Sequence, residues 1–247
     1  MKAQQLGPVG FVFRSAPHEV RGPQRYALEP DMSPTAVIFD MDGVIIDSHG
    51  IAQELLIATA KKWGAALTPD ELKSFGALSS RQFWALVKQK CNLPESVDFY
   101  VGQYDDREEV SRYSEIGAVD GVIALLESLH AVGVPVGLAT SAGRYRTSAV
   151  LDMFDLWRYF KAVVCDEDVA GAKPDPEIYL LAAEQLGVPP SRCVVIEDSE
   201  NGLKAARSAG MRCIGYSGSP YTDEDLSGAD LVVDDFKQIS AEDILNV

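Results

Sequence analysis

Ala36-Val37-Ile38-Phe39-Asp40-Met41-Asp42-Gly43-Val44 is a short apolar run that ends in two carboxylates two residues apart and a glycine. A run of this length and composition reads as a buried strand. The two carboxylates repel one another and call for a proton or a cation. At the carboxyl end of a parallel strand they face the crevice where α/β proteins bind ligands. The stretch therefore predicts a parallel sheet and places a candidate active site at the strand's end.

Working outward, short apolar runs alternate with amphipathic stretches from Thr35 onward. Strands are predicted over residues 36–39, 134–139, 162–165, 193–196, 213–216 and 230–233. A helix is predicted over 121–132, where Val122, Leu125, Leu126, Leu129 and Val132 share one face. Another covers 176–186, with Asp175 as N-cap, Pro176 at the first helical position and Gly187 just past the end. A third, over 201–209, closes with Gly210. Alternating strands and helices mean βα units, so the fold class is α/β with a central parallel sheet flanked by helices.

The alternation breaks over residues 51–118, where helical patterns at 51–63, 80–90 and 99–113 occur without a convincing strand. An all-α cap inserted directly after the acidic stretch would cover the site. Residues 35–50 and 119–247 then form the core. Residues 1–34 hold Pro8, Pro17, Pro23, Pro30 and Pro34 with little periodicity and read as an extended tail.

The net charge of −15 argues against nucleic acid or an anionic membrane as partner. An acidic protein that handles a phosphorylated molecule must neutralise its site locally. Cys91, Cys165, Cys193 and Cys213 show no paired spacing, which suggests neither a disulfide framework nor a zinc motif. A reducing, cytoplasmic compartment is the simplest expectation. No run of about 18 apolar residues and no signal-peptide core is found, so export is not expected. Monomer and homodimer both stay open.

Asp40 has the chemistry of a nucleophile toward a phosphoryl group, and Asp42 that of the acid/base that protonates the leaving oxygen and then activates water. Gly43 permits a sharp turn. A calcium loop is rejected, since Val44-Ile45-Ile46 follows where oxygen ligands would be needed. Glu197-Asp198-Ser199 ends another apolar run, and its acids can converge with Asp40 and Asp42 on magnesium. Alone, it is equally a helix-capping element. Ala139-Thr140-Ser141-Ala142-Gly143 can form an anion cradle of hydroxyls and amides, or an ordinary helix N-cap. Lys173, before Pro174 and Pro176, can offset the repulsion between phosphate and nucleophile; taken alone it is a surface lysine.

At these four elements the chain resembles the haloacid dehalogenase-like phosphotransferases, in the branch with a helical cap that includes β-phosphoglucomutase and many sugar-phosphate phosphatases. Asp40 to Ser48 matches the first motif, Thr140 the second, Lys173 the third and Glu197-Asp198 the fourth, and Gly202, Ala205, Ala206, Ala209, Gly210 and Met211 match the family's continuation. The resemblance implies a Rossmann-like core. It implies that Asp40 attacks phosphorus and ligates magnesium, and that Asp42 is the acid/base and lends its backbone carbonyl to the metal. Thr140, the Ser141 amide and Lys173 would hold phosphoryl oxygens, while Asp198 and Glu197 would complete the metal shell. Retention of Asp42 argues against dehalogenation.

The stretch from Gly76 to Arg81 resembles the cap loop of the mutase branch, where Arg81 would bind a distal group of the substrate, or would instead pair with a surface acid. Ser48, Ala142 and Arg144 are further candidates for the pocket wall. In β-phosphoglucomutase a histidine lies twelve residues after the nucleophile; here that position is Ala52, and His49 comes three residues earlier. The expected activity is a phosphatase acting on a small phosphorylated metabolite, of the sugar-phosphate kind. A mutase is the alternative, and a catalytically silent phosphate-binding protein a further one.

Overall fold

The computed structural model describes residues 35–75 and 78–247. Six parallel strands are formed: β1 Ala36–Phe39, β2 Val136–Ala139, β3 Phe160–Val164, β4 Cys193–Glu197, β5 Arg212–Tyr216 and β6 Leu231–Val233. Their spatial order is β3-β2-β1-β4-β5-β6. The chain winds outward from β1 to β3, then crosses back to start again at β4 on the other side of β1. This order gives a Rossmann-like sheet whose direction of winding reverses between β1 and β4.

Side-chain alternation explains why so short a strand can sit at the centre. Val37 and Phe39 enter the apolar cluster on one face of the sheet, while Ala36 and Ile38 enter the cluster on the other. β4 divides likewise, with Val194 and Ile196 on the first face and Cys193 and Val195 on the second. Helices cover both faces, so these strands have no polar positions. Each large side chain buried here contributes roughly 1.5–3 kcal/mol relative to exposure. β2 begins at Val136 instead of 134, because Pro135 has no amide to donate to a ladder.

Between β1 and β2 lie α1 His49–Lys62, α2 Pro69–Phe75, α3 Ser80–Cys91, α4 Val97–Val101 and α5 Asp106–Arg112, with no strand among the described residues. This insertion has its own apolar cluster, in which Trp84 stacks on Tyr100 at 5.4 Å between ring centroids. The helix expected over 99–113 is broken: α4 stops at Gly102, and Asp105 restarts the chain by accepting from the Arg107 amide at 2.9 Å. The remaining helices are α6 Val122–Ala131, α7 Arg144–Met153, α8 Glu177–Leu186, α9 Glu200–Ser208 and α10 Ala241–Leu245. Pro176 precedes α8 instead of opening it, and Asp175 accepts from the Glu177 amide at 3.0 Å.

The tail expected over residues 1–34 lies outside the described residues, as do Gly76 and Ala77 of the expected cap loop. Among the described residues no helix is long and apolar enough to cross a membrane. The four cysteines are free.

Candidate active site

Strand register brings the acidic elements together. Phe39 pairs with Ile196 of β4 and with Leu138 of β2, so Asp40 emerges between Glu197 and Ala139, one residue short of Thr140. Its amide donates to Ile196 O at 2.9 Å, extending the ladder one residue beyond the strand. The chain then turns sharply, with Met41 O accepting from the amides of Val44, Ile45 and Ile46. Gly43 sits in this turn at φ 78°, and a Cβ there would lie 1.9 Å from Asp198 Oδ2. No other residue fits.

Lys173 Nζ donates to Asp40 Oδ1 at 2.5 Å, Glu197 Oε1 at 2.8 Å and Ala139 O at 3.2 Å. All three of its protons are thus directed at the ends of β1, β4 and β2. Burial disfavours its charge, but Asp40 and Glu197 raise its pKa above that of a free lysine. Burial also pushes the Asp40 carboxyl up, and Lys173 opposes this. Asp40 Oδ2 accepts no hydrogen bond from the described residues and is the oxygen left for chemistry.

Glu197, only 1% exposed, accepts from Lys173 and Tyr179 OH through Oε1 and from the Ser199 amide and hydroxyl through Oε2. With both oxygens doubly engaged it anchors Lys173 and has no lone pair left for a metal. That departs from its expected place in a metal shell, and the cause is local: the Ser199 amide and hydroxyl turn back onto the carboxylate.

Asp198 has one partner among the described residues, His49 Nε2 at 2.8 Å. Burial pushes Asp198 up to about 6 against the opposing influence of His49. Burial would lower His49, but its bond and charge pairing with Asp198 raise it to about 9. The histidine thus supplies a positive charge beside Asp198, and Ala52 lines the cavity one turn further on.

Asp42 Oδ1 accepts from Ser48 Oγ at 2.5 Å and from Arg146 Nη2 at 2.8 Å. Ser48 stands at the N-cap position of α1 yet makes no capping bond, because its hydroxyl is turned to Asp42. Arg146 was not among the expected residues. It lies on α7, and its other contacts run to Glu109 and Tyr113 of the helical insertion. Glu109, a buried acid at the end of the surface-like stretch Asp105 to Glu109, carries no periodic signal that distinguishes it from its neighbours.

Asp40, Asp42, Ser48, Thr140, Ser141, Lys173, Glu197 and Asp198 all line one cavity of about 480 Å³ between the strand ends and the helical insertion. Thr140 Oγ1 accepts from the Ala142 amide at 3.0 Å, which orders the cradle loop; Ala142 itself is buried and does not line the cavity. Two expected residues point elsewhere. Arg81 is 68% exposed and pairs with Asp98, and Arg144 is 53% exposed and grips Asp168 through both carboxylate oxygens. Each is paired with an acid that does not line the cavity.

The donor set suits magnesium. Asp40 and Asp198 are buried carboxylates facing one cavity, each raising the need for positive charge, and the neighbouring donors are oxygens. Among the described residues no three His, Cys, Asp or Glu side chains form a ready-made cage. Magnesium does not need one, since it keeps waters and substrate oxygens in its shell.

Residues 37–216 match the family model of the haloacid dehalogenase-like hydrolases. A phosphorylated carbohydrates phosphatase of Thermotoga maritima is 34% identical over 181 residues, covering 72% of this chain and 83% of that one. The crystal structure of CbbY from Rhodobacter sphaeroides in complex with phosphate is similar at a TM-score of 0.76 and 26% identity, over 87% of this chain and 100% of that one. A β-phosphoglucomutase from Clostridium difficile is similar at a TM-score of 0.74 and 26% identity, over 86% of this chain and 97% of that one.

Proposed function

The chain belongs to the haloacid dehalogenase-like hydrolase family, and from that premise we propose that it is a phosphatase of small phosphorylated metabolites, of the sugar-phosphate kind. The observation that carries this reading is Asp40: it stands where the sheet reverses its winding, one oxygen held by Lys173 and the other unengaged among the described residues. Asp40 Oδ2 attacks phosphorus and forms an aspartyl-phosphate, while Asp42 gives a proton to the leaving oxygen. Asp42 then takes a proton from water as that water displaces Asp40 from phosphorus.

Lys173 opposes the effect of burial on the nucleophile's charge and aims it, and Glu197 keeps Lys173 in place. Thr140 and the Ser141 amide stand at the β2 end of the cavity to receive phosphoryl oxygens. Asp40, Asp198 and the Asp42 carbonyl would hold magnesium, which when bound offsets the joint negative charge of phosphate and carboxylates. The helical insertion, residues 51–118, acts as a cap that limits access of water and selects the leaving group.

Hydrolysis is favoured over a mutase reaction by the region around α1. Ala52 offers no proton-transferring group, and His49 is already directed at Asp198. The test is a panel of sugar phosphates and other monoesters, assayed with magnesium for released phosphate and for isomerised product. Phosphate release that is abolished in Asp40→Asn, with the fold intact, is the expected result. Isomerised product without phosphate, or full activity in Asp40→Asn, contradicts the reading.

A further inference from the structure

The group that the proposed chemistry of the site leaves unused is Arg146. One nitrogen, Nη2, donates to Asp42 Oδ1 at 2.8 Å and forms an ion pair with Glu109 Oε1 at 2.8 Å. Nε donates to Tyr113 OH at 2.8 Å, and Tyr113 in turn donates to Glu109 Oε1 at 2.7 Å. Tyr104 OH closes the set on Glu109 Oε2 at 2.8 Å. Asp42 belongs to the turn after β1, Arg146 to α7, and Glu109, Tyr104 and Tyr113 to the helical insertion. Glu109 is fully buried. A carboxylate so placed is costly unless a charge and hydrogen bonds meet it, and this one has all of them.

We infer that Arg146 is the positioning residue for Asp42, holding the acid/base carboxylate in one orientation and tying it through Glu109 to the helical insertion. The inference rests on the phosphatase reading above. Two donors, Ser48 Oγ and Arg146 Nη2, take the same oxygen of Asp42. The other oxygen, Oδ2, accepts no hydrogen bond from the described residues and is the one free to carry the transferred proton. It gives that proton to the leaving oxygen as the P–O bond breaks, then takes one from water as the aspartyl-phosphate is cleaved. Without Arg146 the carboxyl can rotate between its two oxygens, and the fraction correctly aimed falls. Lysine would keep the charge but not the planar fork that reaches Asp42, Glu109 and Tyr113 together.

A residue that acts through a general acid betrays itself in the leaving group. An alkyl phosphate expels a basic alkoxide and needs the proton; dinitrophenyl phosphate expels a stable phenolate and does not. Single-turnover formation of the phosphoenzyme is therefore measured with both esters and magnesium for wild type, Arg146→Gln, Arg146→Lys and the double variant Arg146→Gln/Glu109→Gln. The double variant removes the buried charge that Arg146→Gln alone would leave unpaired, and so keeps a folded protein available. We expect Arg146→Gln and the double variant to lose about 30-fold or more with the alkyl ester, part of the roughly 10²–10⁴ that general acid catalysis supplies. With the dinitrophenyl ester they stay within about threefold, and Arg146→Lys falls between wild type and Arg146→Gln. Equal losses with both esters, or no loss with either, overturn the assignment while leaving the phosphatase reading intact. A wild type that cleaves neither ester overturns both.

Discussion

Gly202→Ala sets two known effects against each other, and the structure says which is larger. Gly202 lies inside α9 at an ordinary helical conformation, where alanine is favoured over glycine by about 1 kcal/mol. Its added Cβ, however, would lie 1.6 Å from Glu197 Oε1 and 1.9 Å from Glu197 Cδ. Glu197 must move by more than an ångström, and it is buried with four hydrogen bonds, one of them to the Lys173 ammonium. Disrupting a buried charge pair costs about 3–5 kcal/mol. The net expectation is a loss of about 2–4 kcal/mol. With an m-value of about 2 kcal/mol/M the urea midpoint falls by about 1–2 M. The same shift frees Lys173 from one anchor, so phosphatase turnover of the folded protein drops as well. An unchanged or higher midpoint would mean that helix propensity wins, and would refute the packing of Glu197 as the support of Lys173.

Further expectations follow from the same geometry. Glu197→Gln keeps the shape but removes the charge that steadies Lys173, so kcat should fall by about tenfold or more with magnesium affinity nearly unchanged; a large loss of magnesium affinity instead would return Glu197 to the metal shell. Removal of magnesium by chelation should abolish phosphate release, and added magnesium should restore it, as measured by a phosphate assay. Burial pushes the Cys193 thiol up to about 11 and raises Cys165 and Cys213 too, so a disulfide reagent at neutral pH should label half-buried Cys91 first and the other three only on unfolding.

The sequence carried most of the sheet and the centre of the site because both are encoded locally. Apolar runs such as Val194-Val195-Ile196 announce strands buried on both faces, and carboxylates at their ends announce the crevice. Order along the chain then places Asp40, Thr140, Lys173 and Asp198 at one end of one sheet. What local patterns do not encode is which side chain meets which across the fold. Arg144 and Arg146 both follow the cradle loop, and nothing in the sequence says that the first turns to Asp168 at the surface while the second reaches Asp42. Glu109 looks like its exposed neighbour Glu108, and only the packing of α5 on α7 buries it. The break at Gly102 was missed for a different reason: the apolar period continues across it, and only the Asp105 cap marks the new start.

The central claim is that Asp40 is the nucleophile, and trapping the phosphoenzyme tests it most directly. Protein quenched during turnover of a phosphoester with magnesium and treated with hydroxylamine should carry a hydroxamate at Asp40, found by mass spectrometry of the digested chain. A turnover-dependent hydroxamate at Asp42 or elsewhere, or none while phosphate is being released, would contradict the account.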